Sequence, residues 1–262
     1  MQLDIYQIDA FAEKLFGGNP AAVVPLQDWL PDETMLQIAM ENNLSETAFF
    51  VPTDHGFHLR WFTPVREVRL CGHATLATAH VLYQHLNYQK PSITFSTLSG
   101  SLMVEHIGNS YIMNFPTDQA KTIPPNKILL DALHLDEQFA AIFEGTDDYL
   151  VVFDTQKEVQ NLQPIFSKLA QLDKRGVVVT APGETVDFVS RCFYPKLNIL
   201  EDPVTGSAHT LLGPYWSDRL QKDSLTALQL SQRVGHLKVE LLEARIKISG
   251  KAITYMKGLI FL

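Results

Sequence analysis

The chain has few of the features that mark several common classes of protein. It contains two cysteines in 262 residues, too few for a disulfide framework, so Cys71 and Cys192 are expected to be reduced thiols. No run of basic residues is longer than two, and 29 acidic against 21 basic residues give a net charge of −8. Binding to nucleic acid or to an anionic membrane is therefore not expected.

Long apolar segments and the short motifs of cofactor sites are also missing. No apolar stretch approaches the roughly 20 residues that span a bilayer, and the N-terminus alternates apolar and polar residues, unlike a signal peptide. There is no Walker A loop, no dinucleotide-binding G-x-G-x-x-G, no H-E-x-x-H and no C-x-x-C. These absences predict a cytoplasmic protein with no metal site and no cofactor.

Apolar, strand-forming segments are abundant. Hydrophobic residues make up 46% of the chain and charged residues 19%, which is enough to build a core. Many short runs rich in β-branched and aromatic residues predict strands. Residues 74–86 read ATLATAHVLYQHL, apolar or small around most of a helix, which predicts a helix enclosed by strands. We therefore expect antiparallel sheets that wrap helices.

An internal repeat predicts two domains. The pattern R-x-F-x-P occurs at 60–64 and again at 191–195, an offset of 131 residues. Downstream, G-H-A at 72–74 is matched by G-S-A at 206–208, an offset of 134, and both precede a helix-like segment. Two matches in the same order at nearly the same offset indicate duplication. The polar, double-proline segment at 118–127 is the expected linker.

The two glycines of this repeat are candidates for binding an anion. A helix N-terminus presents unsatisfied backbone N–H groups and the positive end of the helix dipole, and glycine allows an anion to approach closely. Gly72 and Gly206 would then bind the carboxylate of a small metabolite. The alternative is that each glycine only makes a tight turn into a packed helix.

Five ordered motifs resemble those of the PhzF-like (phenazine biosynthesis F) family of isomerases. They extend over nearly the whole chain: G-N-P-A-A-V at 18–23, N-L-S-E-T at 43–47, R-W-F-T-P at 60–64, L-C-G-H-A-T at 70–75 and E-D-P-V-T-G-S-A-H at 201–209. The resemblance implies the α+β fold of diaminopimelate epimerase, with two pseudo-symmetric domains, each an antiparallel β-sheet or barrel around a central helix. It also implies an active site in the cleft and a homodimer. The expected domains are 1–117, joined by 250–262, and 126–249.

The resemblance also assigns residues to the site. It implies that Glu46, in N-L-S-E-T, is the acid/base that moves a proton on a carboxylate substrate. The other residues it carries over are His73, Asp202, Gly206 and Ser207. With Gly72, the expected set is catalytic Glu46, His73 and Asp202, and substrate-binding Gly72, Gly206 and Ser207.

The residues themselves support Glu46 but leave alternatives open for the others. Glu46 precedes the apolar run 47–51, and desolvation there would let its carboxyl group take and return a proton near neutral pH. Without the resemblance, an exposed glutamate at a strand start is the simpler interpretation. His73 could only cap local structure, Asp202 could make an Asx-turn, and Ser207 could N-cap its helix. Asn19 is assigned to turn chemistry.

Cys71 supports a different mechanism less well. In the related epimerases and proline racemases, a thiol before the glycine in each half forms a two-base pair. Here the first position is Cys71, but its partner position is Thr205, which cannot act as a base near neutral pH. Cys71 could equally be a small packed residue under the helix.

These observations together predict a cofactor-independent isomerase. Its substrate would be a small carboxylic acid, and the proton would move by a 1,3-type or α-proton transfer through Glu46. One alternative is an amino-acid epimerase or racemase that uses Cys71. The other is a non-catalytic ligand-binding protein with the same fold, although binding alone would not need Glu46, His73 and Asp202 together.

Overall fold

The structure, a computed structural model, describes residues 1–139 and 141–262. The chain divides into two compact units, one comprising Met1–Asn114 with Ser249–Leu262 and the other Phe115–Ile248. The segment expected as a linker, 118–127, lies inside the second unit. There Lys121–Thr122 pairs with another strand of that unit, so this polar stretch is part of a sheet.

The first unit is built around one buried helix. In helix α2 (Gly72–His85) every residue from 73 to 82 is buried, because β1, β2, β3 and β18 pack around it. Each fully buried leucine or valine there stabilises the fold by about 1.5–3 kcal/mol. The other elements of this unit are β1 (Gln2–Ala10), β2 (Asn19–Pro25), α1 (Asp32–Asn42), β3 (Glu46–Thr53), β4 (Gly56–Phe62), β5 (Glu67–Val68), β6 (Ser92–Thr97), β7 (Gly100–Ile107), β8 (Ser110–Pro116) and β18 (Ala252–Phe261).

In the second unit, helix α6 (His209–Leu220) takes the place that α2 has in the first. It packs on β15 and β16. A Cβ atom on Gly213 would lie 2.2 Å from Ile246 Cδ1, so the end of the Ile246 side chain packs directly against the helix backbone at this glycine. The other elements are β9 (Lys121–Thr122), α3 (Lys127–Leu133), β10 (Ile142–Glu144), β11 (Asp148–Val152), α4 (Gln156–Asn161), α5 (Phe166–Leu169), β12 (Gly176–Pro182), β13 (Phe188–Tyr194), β14 (Ile199–Asp202), β15 (Ser224–Gln229), β16 (Gly235–Leu242) and β17 (Arg245–Gly250).

Both units use the same order of strand pairings. In the first, β2 and β3 are parallel, β3 and β4 antiparallel, and β4 and β6 parallel. In the second, β11 and β12 are parallel, β12 and β13 antiparallel, and β13 and β15 parallel. The α+β class is confirmed, but the sheets are mixed and not purely antiparallel. A helix connects the strands of each parallel pair, as such crossovers require.

The repeated arginine has the same structural role in both units. The Arg60 side chain donates from Nε and Nη2 to the two carboxylate oxygens of Glu67 on β5, at 2.8 and 2.7 Å. Arg191 donates in the same way to Glu201 on β14, at 2.7 and 2.9 Å. Arg191 also donates from Nη1 to the carbonyl of Leu162, at 2.8 Å. The motif R-x-F-x-P therefore ties a strand to its antiparallel neighbour in each half.

The predicted and observed elements differ mostly in short helices. The sequence predicts a helix near 164–172, and in the structure the helix there, α5, is limited to Phe166–Leu169. Helix α3 is N-capped by Asn126, and α4 begins with a capping box formed by Thr155 and Glu158. Among the described residues, no helix is both long enough and apolar enough to span a membrane.

Candidate active site

Glu46 is the first residue of β3 and follows the turn at the end of helix α1. α1 ends at Asn42, and Asn43 adopts the left-handed conformation with φ of 47°, which asparagine tolerates better than most residues. The five following residues, 47–51, are all buried, whereas the Glu46 side chain keeps 13% of its surface exposed. Its carboxyl group therefore lies at the end of an apolar strand with limited contact to solvent.

The structure brings His73 next to Glu46. His73 is the second residue of α2, and its Nε2 atom lies 3.2 Å from Glu46 Oε2. Burial lowers the pKa of His73 to about 3, so its ring is neutral at neutral pH. A neutral imidazole has one N–H and one lone pair, so it can donate or accept a hydrogen bond beside the carboxyl group. The contact is more specific than the local cap considered from the sequence.

Gly72 is the first residue of α2. Cys71, at the N-cap position, makes no side-chain capping hydrogen bond to this helix. The Thr75 hydroxyl instead donates to the Cys71 carbonyl, at 2.6 Å. The N-cap side chain thus does not occupy the N–H groups of the first turn, which is compatible with the predicted role of Gly72.

Asn19 does more than shape a turn. The turn itself is made by Gly18, whose φ is +63° and where a Cβ would lie 2.1 Å from the Ala10 carbonyl oxygen. Asn19 is fully buried, and its Nδ2 lies 3.3 Å from His73 Nδ1. The parallel pairing of β2 with β3 places Ala21 opposite Glu46, which explains why Asn19 comes so close. Asn19 therefore lies against His73 in the candidate site, a contact that its assignment to turn chemistry did not include.

Cys71 also contacts the histidine. Its Sγ lies 3.5 Å from His73 Nδ1, and the residue is buried at 7% exposure. It is thus packed under the helix, as one interpretation of the sequence held, and it is also part of the Glu46–His73 group. Position 205, where a second thiol would stand in a two-base enzyme, is occupied by Thr205.

In the second unit, Asp202 is part of a buried hydrogen-bond network. The Thr205 hydroxyl donates to Asp202 Oδ2 at 2.5 Å. Gln229, fully buried, accepts from the Thr205 backbone N–H at 2.8 Å and donates to the Asp202 carbonyl at 2.8 Å. His209 Nδ1 lies 2.9 Å from the Thr205 carbonyl, so this nitrogen is the donor. The network fixes the loop that leads into α6 and the position of the Asp202 side chain.

Gly206 and Ser207 lie in the turn just before α6. The helix begins at His209 with Ala208 as its N-cap residue, so Ser207 does not N-cap it. The Ser207 hydroxyl instead accepts from Arg175 Nη2 at 3.3 Å. Arg175 also binds both carboxylate oxygens of the buried Asp148. An arginine thus orients Ser207, which leaves its hydroxyl proton available for a ligand.

Sequence reasoning missed three residues of these groups: Asn19, Arg175 and Gln229. Gln229 had a usable signal, because strand β15 alternates and places it on the same face as the buried Leu225 and Ala227. A glutamine among inward-facing residues indicates a polar network. Arg175 follows Lys174 and has the sequence appearance of a surface residue, so no local signal identified it.

Comparisons with known proteins identify the class. An uncharacterized isomerase of Pseudomonas aeruginosa is 51% identical over 262 residues, covering 100% of both chains. The crystal structure of a PhzF-family phenazine biosynthesis protein from Enterococcus faecalis has a TM-score of 0.97 and 46% identity, covering 100% of both. A hydroxyproline epimerase from Agrobacterium vitis shares the fold alone, with a TM-score of 0.62 and 10% identity over 99% of this chain and 92% of that one. The chain is thus an isomerase with an epimerase-like fold.

Residues 8–258 match the PhzC-PhzF family, described as phenazine biosynthesis-like protein. The chain belongs to this family, which confirms the resemblance found in its motifs.

Proposed function

We propose that this chain catalyses a cofactor-independent isomerisation in which Glu46 moves a proton on a small carboxylic acid. The observation that carries the proposal is the contact between Glu46 Oε2 and His73 Nε2, 3.2 Å long, at the end of an apolar strand. A general acid/base must be able both to take and to return its proton, and a partly desolvated carboxyl group beside a neutral imidazole meets this requirement.

The neutrality of His73 matters for this role. A protonated imidazole 3.2 Å from the carboxylate would form an ion pair and hold Glu46 in its ionised form. Because burial lowers the pKa of His73 to about 3, that ion pair is absent near neutral pH. Glu46 as carboxylate would remove a proton from a substrate carbon, and as carboxylic acid it would deliver the proton to another position.

The remaining predicted residues would bind and orient the substrate. Backbone N–H groups at Gly72 and at Gly206 would stabilise negative charge on a substrate carboxylate or on a developing enolate. The Ser207 hydroxyl, held through its oxygen by Arg175, would donate to the same kind of group. Asp202 would orient a polar substituent of the substrate or act as a second acid/base.

A second candidate function is two-base epimerisation through Cys71. The 3.5 Å contact between Cys71 Sγ and His73 Nδ1 favours it, because it places the thiol in the same group as Glu46 and His73. Thr205 opposes it, because its hydroxyl donates to Asp202 and is not a base near neutral pH. Replacing Cys71 by serine distinguishes the two. Full activity of C71S removes epimerisation through the thiol, whereas loss of activity with an intact fold supports it.

The experiment that tests the proposed reaction is a screen of small carboxylic acids incubated with the protein in D2O. A substrate is expected to gain deuterium at carbon, as measured by mass spectrometry, after the protein has been dialysed against a chelator and freed of small molecules. E46Q protein, prepared in parallel, provides the control for background exchange. Uptake that depends on added metal, flavin, pyridoxal phosphate or nicotinamide would overturn cofactor independence.

A further inference from the structure

The site of the first unit has the composition of a metal-binding site. One donor atom each from Glu46, Cys71 and His73 lies within 4.8 Å of the others. This group was not visible as a motif, because Glu46 is 25 positions before Cys71 in the sequence and none of the usual ligand spacings occurs. The fold brings the three side chains together through the start of β3 and the start of α2.

The donor types select a class of ion. A thiolate, an imidazole and a carboxylate are ligands of Zn²⁺ and of similar divalent transition metals. Mg²⁺ and Ca²⁺ prefer six or more oxygen ligands, and this group offers oxygen from Glu46 alone. The chemistry therefore favours a thiophilic divalent cation over a hard one.

The distances are close to those of a tetrahedral site. Zinc bond lengths of roughly 2.0–2.3 Å place neighbouring ligand atoms about 3.3–3.6 Å apart. Cys71 Sγ and His73 Nδ1 are already 3.5 Å apart, and His73 Nε2 and Glu46 Oε2 are 3.2 Å apart. One ion binds only one of the two ring nitrogens of His73. The donor atom of the third ligand lies at most 4.8 Å from the other two donor atoms, so it must move about 1 Å closer to them. Rotation about the side-chain bonds of Glu46 or Cys71 supplies a movement of this size.

The surroundings suit a bound ion as well. Asn19 lies with its Nδ2 3.3 Å from His73 Nδ1, and rotation of this amide would turn its oxygen toward the ring as the acceptor that orients a histidine ligating through Nε2. The Glu46 side chain is 13% exposed, so the group lies close to solvent. Three protein ligands leave a fourth position for water or for the carboxylate of a metabolite.

We propose that Zn²⁺, or a divalent transition metal of similar preference, binds at Glu46, Cys71 and His73 and inhibits the isomerase. The ion uses the Glu46 carboxylate as a ligand, so this residue can no longer exchange a proton with a substrate. Binding does not depend on the identity of the substrate. It is compatible with an active enzyme that carries no metal, because the bound ion produces an inhibited form.

Binding is tested with Zn²⁺ in a calorimetric titration and with Co²⁺ in an absorption titration. We expect one ion per chain and, with Co²⁺, a charge-transfer band from the thiolate in the near ultraviolet. Removing a residue that hydrogen-bonds to a metal ligand typically lowers the metal affinity by about 10–100-fold. Removing a ligand itself, as in C71A or E46Q, should lower the Zn²⁺ affinity by at least this factor. C192A is the matched control, because it removes the other buried cysteine and should leave binding unchanged.

Two results would overturn the proposed binding site. Zn²⁺ affinity that is the same in wild type, C71A and E46Q would place the ion elsewhere, and so would a wild-type Co²⁺ spectrum without a thiolate band. The latter needs no variant, so it decides the question even where C71A does not fold. Inhibition is measured by deuterium exchange with and without Zn²⁺, and exchange that continues in saturated protein contradicts it. The binding measurements stand independently if the proposed reaction fails.

Discussion

Gln229 is predicted to be one of the most important single side chains for the stability of the second unit. Its side-chain amide accepts the Thr205 N–H and donates to the Asp202 carbonyl, and all three residues are buried. In Q229L a side chain of similar length fills the space but leaves both backbone groups without these partners. An unsatisfied buried group costs about 1–3 kcal/mol, so the free energy of unfolding should fall by about 2–6 kcal/mol.

Urea denaturation of wild type and Q229L measures this loss. We expect a lower midpoint with an unchanged slope, because the surface exposed on unfolding stays the same. Q171L is the matched control, since the Gln171 side chain makes one exposed hydrogen bond, to the Ser167 carbonyl, and its loss should cost within about 0.5 kcal/mol. A loss in Q229L no larger than in Q171L would refute the idea that Gln229 holds the Asp202 loop.

Three other consequences can be measured. Burial lowers the pKa of His73 to about 3 and those of His80 and His209 to about 4, so below pH 6.5 the unfolded chain binds more protons than the folded one. The free energy of unfolding should therefore be highest above pH 6.5 and should fall as the pH drops toward 4, by up to about 3 kcal/mol per histidine. Urea titrations at several pH values measure this fall, and a midpoint that does not change with pH would contradict it. R191M should lose about 2–6 kcal/mol in chemical denaturation, because it leaves the buried carbonyls of Val159 and Leu162 without their Arg191 donor and removes the partner of the half-buried Glu201 carboxylate; a loss below about 1 kcal/mol would contradict this role of Arg191. Burial raises the pKa of Cys192, so this thiol should stay unmodified by alkylating reagent until the protein unfolds, as peptide mass spectrometry can show, and rapid labelling of folded protein would be the contrary result.

Much of the fold could be predicted because its signals are local. The apolar circumference of residues 74–86 predicts the buried helix that α2 forms, and the repeat at 60–64 and 191–195 predicts two related halves. Whether neighbouring strands pair parallel or antiparallel is harder to predict, because side chains alternate in the same way along both kinds of strand. The mixed sheets depend on helical crossovers between β2 and β3 and between β11 and β12, which strand composition does not reveal.

The candidate site was predicted less completely, for a related reason. Glu46 and His73 belong to short motifs at element boundaries, so both could be named from sequence. Their 3.2 Å contact depends on long-range packing of β3 against the start of α2. Asn19 reaches His73 only because β2 runs parallel to β3, and Gln229 reaches Asp202 across 27 positions in the sequence. Residues that complete a site through such contacts leave little trace in the local sequence.

The central claim is that Glu46 carries the proton, and the direct measurement is the rate at which E46Q exchanges substrate hydrogen with D2O. The amide has nearly the same size as the carboxyl group, so thermal unfolding and ligand binding should be close to wild type. Removing a general acid/base typically lowers the rate by about 10²–10⁴-fold, and this is the loss of exchange that we expect. Exchange at the wild-type rate in folded, ligand-binding E46Q would show that another group, Asp202 or Cys71, moves the proton.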